Sequence, residues 1–219
     1  MTRFVAHETR TPLSTIQLAL ERLNESGHLT ATEKKYIDSI QEDIDDLNKL
    51  TTQFLIYSQN STHELTLHFQ TINLLDWLKK SVKRFQAATI NVEFNVGTLK
   101  NRHIECDPRL LKHALENLVN NALKFANKTI IITAEISHHS ALIHVDDDGQ
   151  GINEDDRDII FHAFETLTQD AALGKHIGMG LMIARTIVEK HQGTLTVTQS
   201  PVLTGSRFTI QCPLTRQRK

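Results

Sequence analysis

The sequence predicts an α + α/β chain: a helical hairpin that dimerises into a four-helix bundle, followed by an α/β sandwich. Three observations predict it. Through residues 1–60 apolar residues recur at alternating steps of four and three, the seam of a helix bundle. From residue 61 to 219 the pattern changes to short alternating strands interleaved with amphipathic helices. Within that second region, glycine-bearing turns stand after one strand and before one helix, where backbone meets ligand most closely. The expected division is therefore 1–60 and 61–219.

Composition narrows the function classes. A chain of 219 residues suits one medium domain or two small ones, and 39% hydrophobic with 23% charged residues is ordinary for a globular protein. A net charge of -2 without a concentrated basic face argues against nucleic-acid binding. Cys106 and Cys212 have no motif spacing and read as reduced thiols. No apolar run reaches membrane-spanning length, and no signal peptide is evident.

The first helix starts near Thr2 with the seam Thr9, Leu13, Ile16, Leu20 and Leu23, and ends near Ser26, with Gly27 as its C-cap. His7 lies off that seam. Two residues before Thr9 is a rotation of roughly 200°, so the imidazole is expected to face solvent, with Thr11 one turn along the same face. Glu8 is beside it. A carboxylate next to an imidazole holds one ring nitrogen protonated and leaves the other as a nucleophile. Taken alone, a polar helix face that happens to include one of twelve histidines is the commoner explanation.

Thr30 and Glu33 form a capping-box pattern for a second helix, with the seam Ile37, Ile40, Ile44, Leu47, Thr51 and Phe54. Glu42, Asp43, Asp45 and Asp46 read as its solvated face. Two such helices cannot bury both seams alone, hence the expected dimeric bundle. Ser58 to Thr62 reads as a linker. Beyond it, strands are expected at Leu65–Ile72, Thr89–Val96, Ile104–Cys106, Thr129–Ile136, Ala141–Val145, Gly193–Ser200 and Ser206–Cys212. Helices are expected at Leu74–Phe85, from Asp107-Pro108 to Ala126, and from Gly178 to Gln192. His138 and His139 read as exposed turn polarity, because no carboxylate or thiol stands at metal-ligand spacing.

Four motifs follow one another in the second region. Asn117 and Asn121, one turn apart, offer amide oxygens of the kind that suit a magnesium ion keeping most of its water; Lys124 can neutralise phosphate and Phe125 can pack on a base. Asp147 precedes Gly149, Gly151 and Ile152, where glycines admit a ligand close to backbone and a carboxylate suits an exocyclic amine such as that of adenine. Ile160 to Phe164 holds two aromatics that, in isolation, read as core. Lys175, Gly178, Gly180 and Leu181 open a helix whose free amides make a phosphate cradle.

His7-Glu8-Thr9-Arg10-Thr11-Pro12-Leu13 resembles the H box of the sensor histidine kinases of two-component systems. The four later motifs resemble the N, G1, F and G2 boxes of their ATP-binding domain, of the Bergerat or GHKL type. The resemblance runs from Arg3 to about Cys212. It implies ATP-dependent autophosphorylation of His7 assisted by Glu8, and transfer to an aspartate on the receiver domain of a separate response regulator. It also implies that Thr11 orients water when the regulator is dephosphorylated. Asn121, with Asn117, would hold Mg2+; Asp147 would read adenine; Gly178 and Gly180 would lie under the phosphates; and the span from Phe164 to Gly178 would cover the ATP. The implied protein is a homodimer, the cytoplasmic core of an inner-membrane sensor whose sensor region and membrane helices are absent from this chain, in which only six residues precede His7. Thr9 replaces the usual Leu or Ile, Glu165 and Thr166 follow Phe164 where an aromatic and an arginine are common, and the glycine run is thinned to Lys175-His176-Ile177-Gly178-Met179-Gly180. Those departures keep two alternatives open: a catalytically weak nucleotide-binding dimeric scaffold, and a sensor in which phosphatase activity dominates.

Overall fold

The computed structural model describes residues 2–25, 29–61, 65–87, 90–96, 99–162 and 178–216, with side chains in the first helix from Leu13 onward. The chain separates into two compact units, Met1–Leu65 and Thr66–Lys219.

The first unit is two helices, α1 (Thr2–Glu25) and α2 (Ala31–Ser61). Leu13, Leu20, Ile37 and Ile44 form its buried cluster, with Leu29 packed against it. Each pair is seven residues apart, so alternate seam positions face the other helix of the hairpin. The intervening positions do not: Ile16 is 46% exposed, Leu23 50%, Ile40 43% and Leu47 47%. Thr30 and Glu33 close the expected capping box. The Thr30 amide and hydroxyl donate to Glu33 Oε2 at 2.8 and 2.7 Å, and the Glu33 amide donates to Thr30 Oγ1 at 3.3 Å. Those bonds, the hydroxyl's first, hold the Glu33 carboxyl below its ordinary range. The expected linker at Ser58–Thr62 is corrected, since α2 continues to Ser61. Ser, Gln and Asn cost only a few tenths of a kcal/mol each in a helix, about 0.5 kcal/mol at most, and no Gly or Pro interrupts. Gly27 lies outside the described residues.

In the second unit, β1 (Gln70–Asn73) pairs antiparallel with β3 (His103–Cys106). A five-stranded sheet runs in the order β2 (Asn91–Asn95), β4 (Thr129–Ser137), β5 (Ser140–Asp147), β7 (Ser206–Pro213), β6 (Thr194–Gln199). The β2–β4 pair is parallel and the others antiparallel. A parallel pair needs a crossover, and β3 with helix α4 (Pro108–Phe125) supplies it. One sheet face is apolar at period two: Ile130 and Ile132, Ala141, Ile143 and Val145, Leu195 and Val197, Phe208 and Ile210 are all buried. Leu111, Leu115 and Leu118 of α4 and Ile183 and Ile187 of α5 (Gly180–Lys190) complete the core.

Several boundaries move for local reasons. The expected helix over Leu74–Phe85 is α3 (Leu74–Val82) followed by a 3-10 turn at Lys83–Ala87. Helix α5 starts at Gly180 and not at Gly178, because Gly178 adopts φ +69°, outside the right-handed helix. Strand β5 runs on to Asp147, so Asp146 faces Arg207 and Asp147 faces Ile130 within the sheet.

Candidate nucleotide site

The site is assembled where β5 ends and α4 and α5 face each other. Asp107 caps α4, its Oδ1 accepting the amides of Arg109 and Leu110 at 3.1 and 3.0 Å, with Pro108 in the first turn as expected. Asn117 and Asn121 are both half-buried on that helix. A Cβ built on Gly180 would stand 3.5 Å from Asn117 Oδ1, so the start of α5 lies directly against the first asparagine. Met179, the N-cap residue of α5, makes no side-chain capping bond. An uncapped helix start beside an amide oxygen can receive an anion and its counter-cation together.

Asp147 is 2% exposed, and its Oδ1 accepts the Gly149 amide at 2.9 Å and the Ser206 amide at 3.2 Å. Burial pushes the carboxyl above its ordinary range, and the two amides oppose that shift. Gly149 is required by space: a Cβ there would collide with the Phe125 carbonyl oxygen and stand 2.9 Å from Asp147 Oδ1. Gly151 is required by conformation, with φ +78°. Ile152 follows it and is half-buried. Lys124 holds its ammonium 4.9 Å from the Phe125 ring centre. Both residues, with Asn127, Asp148, Gly149, Gln150 and Thr204, line an open cavity of about 360 Å³.

Neighbouring carboxylates are otherwise engaged. Asp146 is fully buried, takes a two-pronged ion pair from Arg207 at 2.8 and 2.9 Å, and accepts the Ser200 hydroxyl at 2.6 Å. Asp148 accepts the amides of Asn127 and Lys128 at 2.8 and 3.0 Å. Its slight burial raises the carboxyl, and the amides of Lys128, Thr129 and Asn127 outweigh that and leave it below the usual range. Among the described residues no three His, Cys, Asp or Glu side chains cluster as a metal site.

The sequence reading missed Gly205. A Cβ there would strike Asp147 Oδ1 and come within 2.6 Å of the Asp147 carbonyl oxygen and the Gly149 amide nitrogen. Its own amide donates to the Asp147 carbonyl at 3.1 Å. A glycine just before a strand signals a turn, but nothing local in the sequence says which carboxylate that turn encloses. Leu181 is half-buried in the first turn of α5. His7, Glu8 and Thr11 lie on α1, and their side chains are outside the described residues. Phe164 and Lys175 are outside them altogether, as are Glu165 and Thr166.

Residues 106–216, just over half of the chain, match the family described as histidine kinase-, DNA gyrase B- and HSP90-like ATPase, and residues 1–62 match the His Kinase A (phospho-acceptor) domain. The sensor protein RstB of Escherichia coli K12 is 33% identical over 213 residues, 96% of this chain and 47% of RstB. The sensor histidine kinase CpxA of the same strain is 29% identical over 218 residues, 96% of this chain and 46% of CpxA. The chain thus spans about half the length of the curated relatives it matches. A crystal structure of full-length ShkA in complex with AMPPNP aligns with a TM-score of 0.75 at 24% identity, over 100% of this chain and 46% of ShkA, a likeness of fold. With a phospho-acceptor domain followed by an ATPase domain of this type, the chain belongs to the sensor histidine kinases of two-component systems.

Proposed function

We propose that this chain is the catalytic core of its protein: it binds Mg·ATP in the second unit, transfers the γ-phosphoryl group to His7, and passes it to an aspartate of a response-regulator receiver domain. The observation that carries the reading is Asp147. It is a buried carboxylate whose Oδ1 is held by two backbone amides, while Oδ2 takes neither bond and is available to the amino group of adenine. Phe125 and Lys124, on the cavity wall, offer a ring for the base and a cation for phosphate.

Asn117 and Asn121 fit magnesium by the chemistry of their neutral oxygen donors: Asn117 brings one to the uncapped start of α5, the place suited to phosphate, and Asn121 follows one turn along α4. Bound there, the ion would neutralise phosphate charge. The chain's own residues do the rest. Asp147 orients the base, the amides after Gly178 and at Gly180 receive the phosphates, and Lys175 adds positive charge. Glu8 stabilises the charge that develops on the His7 ring as it attacks. Thr11 serves the reverse task of orienting water for dephosphorylation of the regulator.

Dimerisation through the hairpin is supported by the half-exposed row Ile16, Leu23, Ile40 and Leu47, which a second copy would cover to complete a four-helix bundle. Among the described residues no helix is long and apolar enough to cross a membrane. We place the chain on the cytoplasmic side of a membrane sensor, by analogy with its relatives. Incubation with γ-labelled ATP and magnesium tests the reading, comparing the native chain with His7→Ala and Asp147→Asn for acid-labile, base-stable label. Label on the native chain and on neither variant is expected. No native label despite measurable nucleotide binding would overturn the kinase reading and leave the scaffold or phosphatase alternatives.

A further inference from the structure

His191 is a buried histidine to which the proposed chemistry gives no part. It follows the last residue of α5 and is 3% exposed. Its Nε2 lies 3.0 Å from the backbone amide nitrogen of Asp107, the N-cap of α4. That amide can only donate, so Nε2 must be the unprotonated nitrogen. Nδ1 therefore carries the hydrogen and donates it to the Ile187 carbonyl oxygen at 2.8 Å. The tautomer is fixed from both sides, and the ring bridges the end of one helix to the start of the other.

That bridge has a counterpart at the nucleotide site. Helices α4 and α5 run antiparallel, and the start of α5 meets the middle of α4 where Gly180 lies against Asn117. From Asp107 to Asn117 is about 15 Å of helix, and from His191 back to Gly180 is about 16.5 Å at 1.5 Å per residue. Two rigid spans of nearly equal length, joined at one end by a directional hydrogen bond, set the offset at the other end. We propose that His191 is a positioning residue for nucleotide binding: by pinning the end of α5 to the cap of α4, it fixes the axial register that puts the first amides of α5 beside Asn117. The inference rests on the nucleotide-site reading given above.

The surroundings of the ring explain why the joint holds and what would release it. Asp107 faces it from α4, and that carboxylate is occupied by the amides of Arg109, Leu110 and His68. Phe69 tilts against the imidazole with ring centres 5.5 Å apart, and Arg216 stacks 4.9 Å over the same phenylalanine. On α5 itself, Glu189 is exposed and paired with Arg185, and Lys190 is half-buried. A proton on Nε2 would convert the acceptor into a donor aimed at another donor, so protonation breaks the link.

The test is titration of the full chain with Mg·AMPPNP at pH 7.5, native against His191→Phe and His191→Gln, with thermal unfolding followed in parallel. Phenylalanine keeps a ring beside Phe69 but accepts nothing. Glutamine restores an acceptor for Asp107 and a donor for Ile187. The expected result is a dissociation constant raised about tenfold in His191→Phe, equal to the loss of one directional interaction, with near-native affinity in His191→Gln. Folded His191→Phe that binds like the native chain would overturn the proposal, and so would a folded His191→Gln chain that binds tenfold more weakly than native, a readout that needs no folded phenylalanine variant. A native chain that binds no Mg·AMPPNP would instead overturn the nucleotide-site reading beneath it.

Discussion

Gly205→Ala is the sharpest perturbation, because it adds one methyl where the turn before β7 meets the Asp147–Gly149 segment and the Asp147 carboxylate. The added Cβ would strike Asp147 Oδ1 and stand 2.6 Å from both the Asp147 carbonyl oxygen and the Gly149 nitrogen. None of these is the free end of a flexible side chain, so the strand ends must part or the carboxylate must turn. Overpacking of this kind costs about 1–3 kcal/mol. Losing the Ser206 amide bond to a charged acceptor adds about 1.5–3 kcal/mol. Together these cost about 2.5–6 kcal/mol, less than most of the 5–15 kcal/mol range typical of a domain, so a folded variant is expected, with a lower denaturation midpoint. Misplacement of Oδ2 removes one charge-assisted bond to the base, about 1.5–3 kcal/mol, or roughly a ten- to hundredfold rise in the dissociation constant for ATP. Denaturant unfolding and titration with a fluorescent ATP analogue read the two effects separately. Val202→Ala, 57% exposed on the same connection, should change neither. A Gly205→Ala chain with native affinity and native midpoint would refute the claim that this turn shapes the adenine end of the site.

Acid should destabilise the second unit in two stages. Burial pushes His191, His113 and His144 below their ordinary value of 6.5, so the native state refuses protons that the unfolded chain accepts, and stability is complete above pH 6.5 and falls below it. Asp107 continues the loss nearer pH 4: burial raises its carboxyl, but the amides of Leu110, His68 and Arg109 outweigh that and hold it low. Asp147, raised by burial, acts with the opposite sign and softens the fall; urea midpoints across pH 4–8 check the balance. Arg207→Met leaves the fully buried Asp146 carboxylate without its cation and should cost about 3–5 kcal/mol, measured as a shift in urea midpoint. His138→Gly should stabilise by about 1 kcal/mol in the same assay, because His138 sits exposed at φ +52° in the β4–β5 turn, a conformation glycine adopts without steric strain.

Features governed by neighbours in sequence were legible. The Thr30–Glu33 box and the Asp107-Pro108 cap formed as their spacing demands, because a cap needs only residues within one turn. The two seams were legible as periodicity, yet their division into an inner row at Leu13, Leu20, Ile37 and Ile44 and an outer row at Ile16, Leu23, Ile40 and Leu47 was not. Heptad positions look alike until the second helix takes one side. The parallel pairing of β2 with β4 was also hidden, since the register Val92↔Ile130 depends on a crossover through α4. Gly205 and Asp147 are far apart in sequence and meet only because β7 lies beside β5. The end of α2 was misjudged because polarity was read as a stop signal, whereas helices stop at caps, Gly and Pro.

The run Asp146-Asp147-Asp148 shows how position, more than residue type, makes a site. All three side chains carry the same group, and strand alternation turns successive ones to opposite faces. Asp146 faces Arg207 and Ser200 across the sheet, and both of its oxygens are engaged by the guanidinium. Asp148, just past the strand end, binds the amides that follow α4 and closes that turn. Only Asp147 divides its oxygens, with Oδ1 fixed by Gly149 and Ser206 and Oδ2 outside those bonds. A carboxylate anchored at one oxygen loses little further freedom when a ligand meets the other, so the amide pair pre-organises the acceptor. Gly149 and Gly205 follow from the same requirement, since two amides can converge on one buried oxygen only if neither chain carries a Cβ into the space between them.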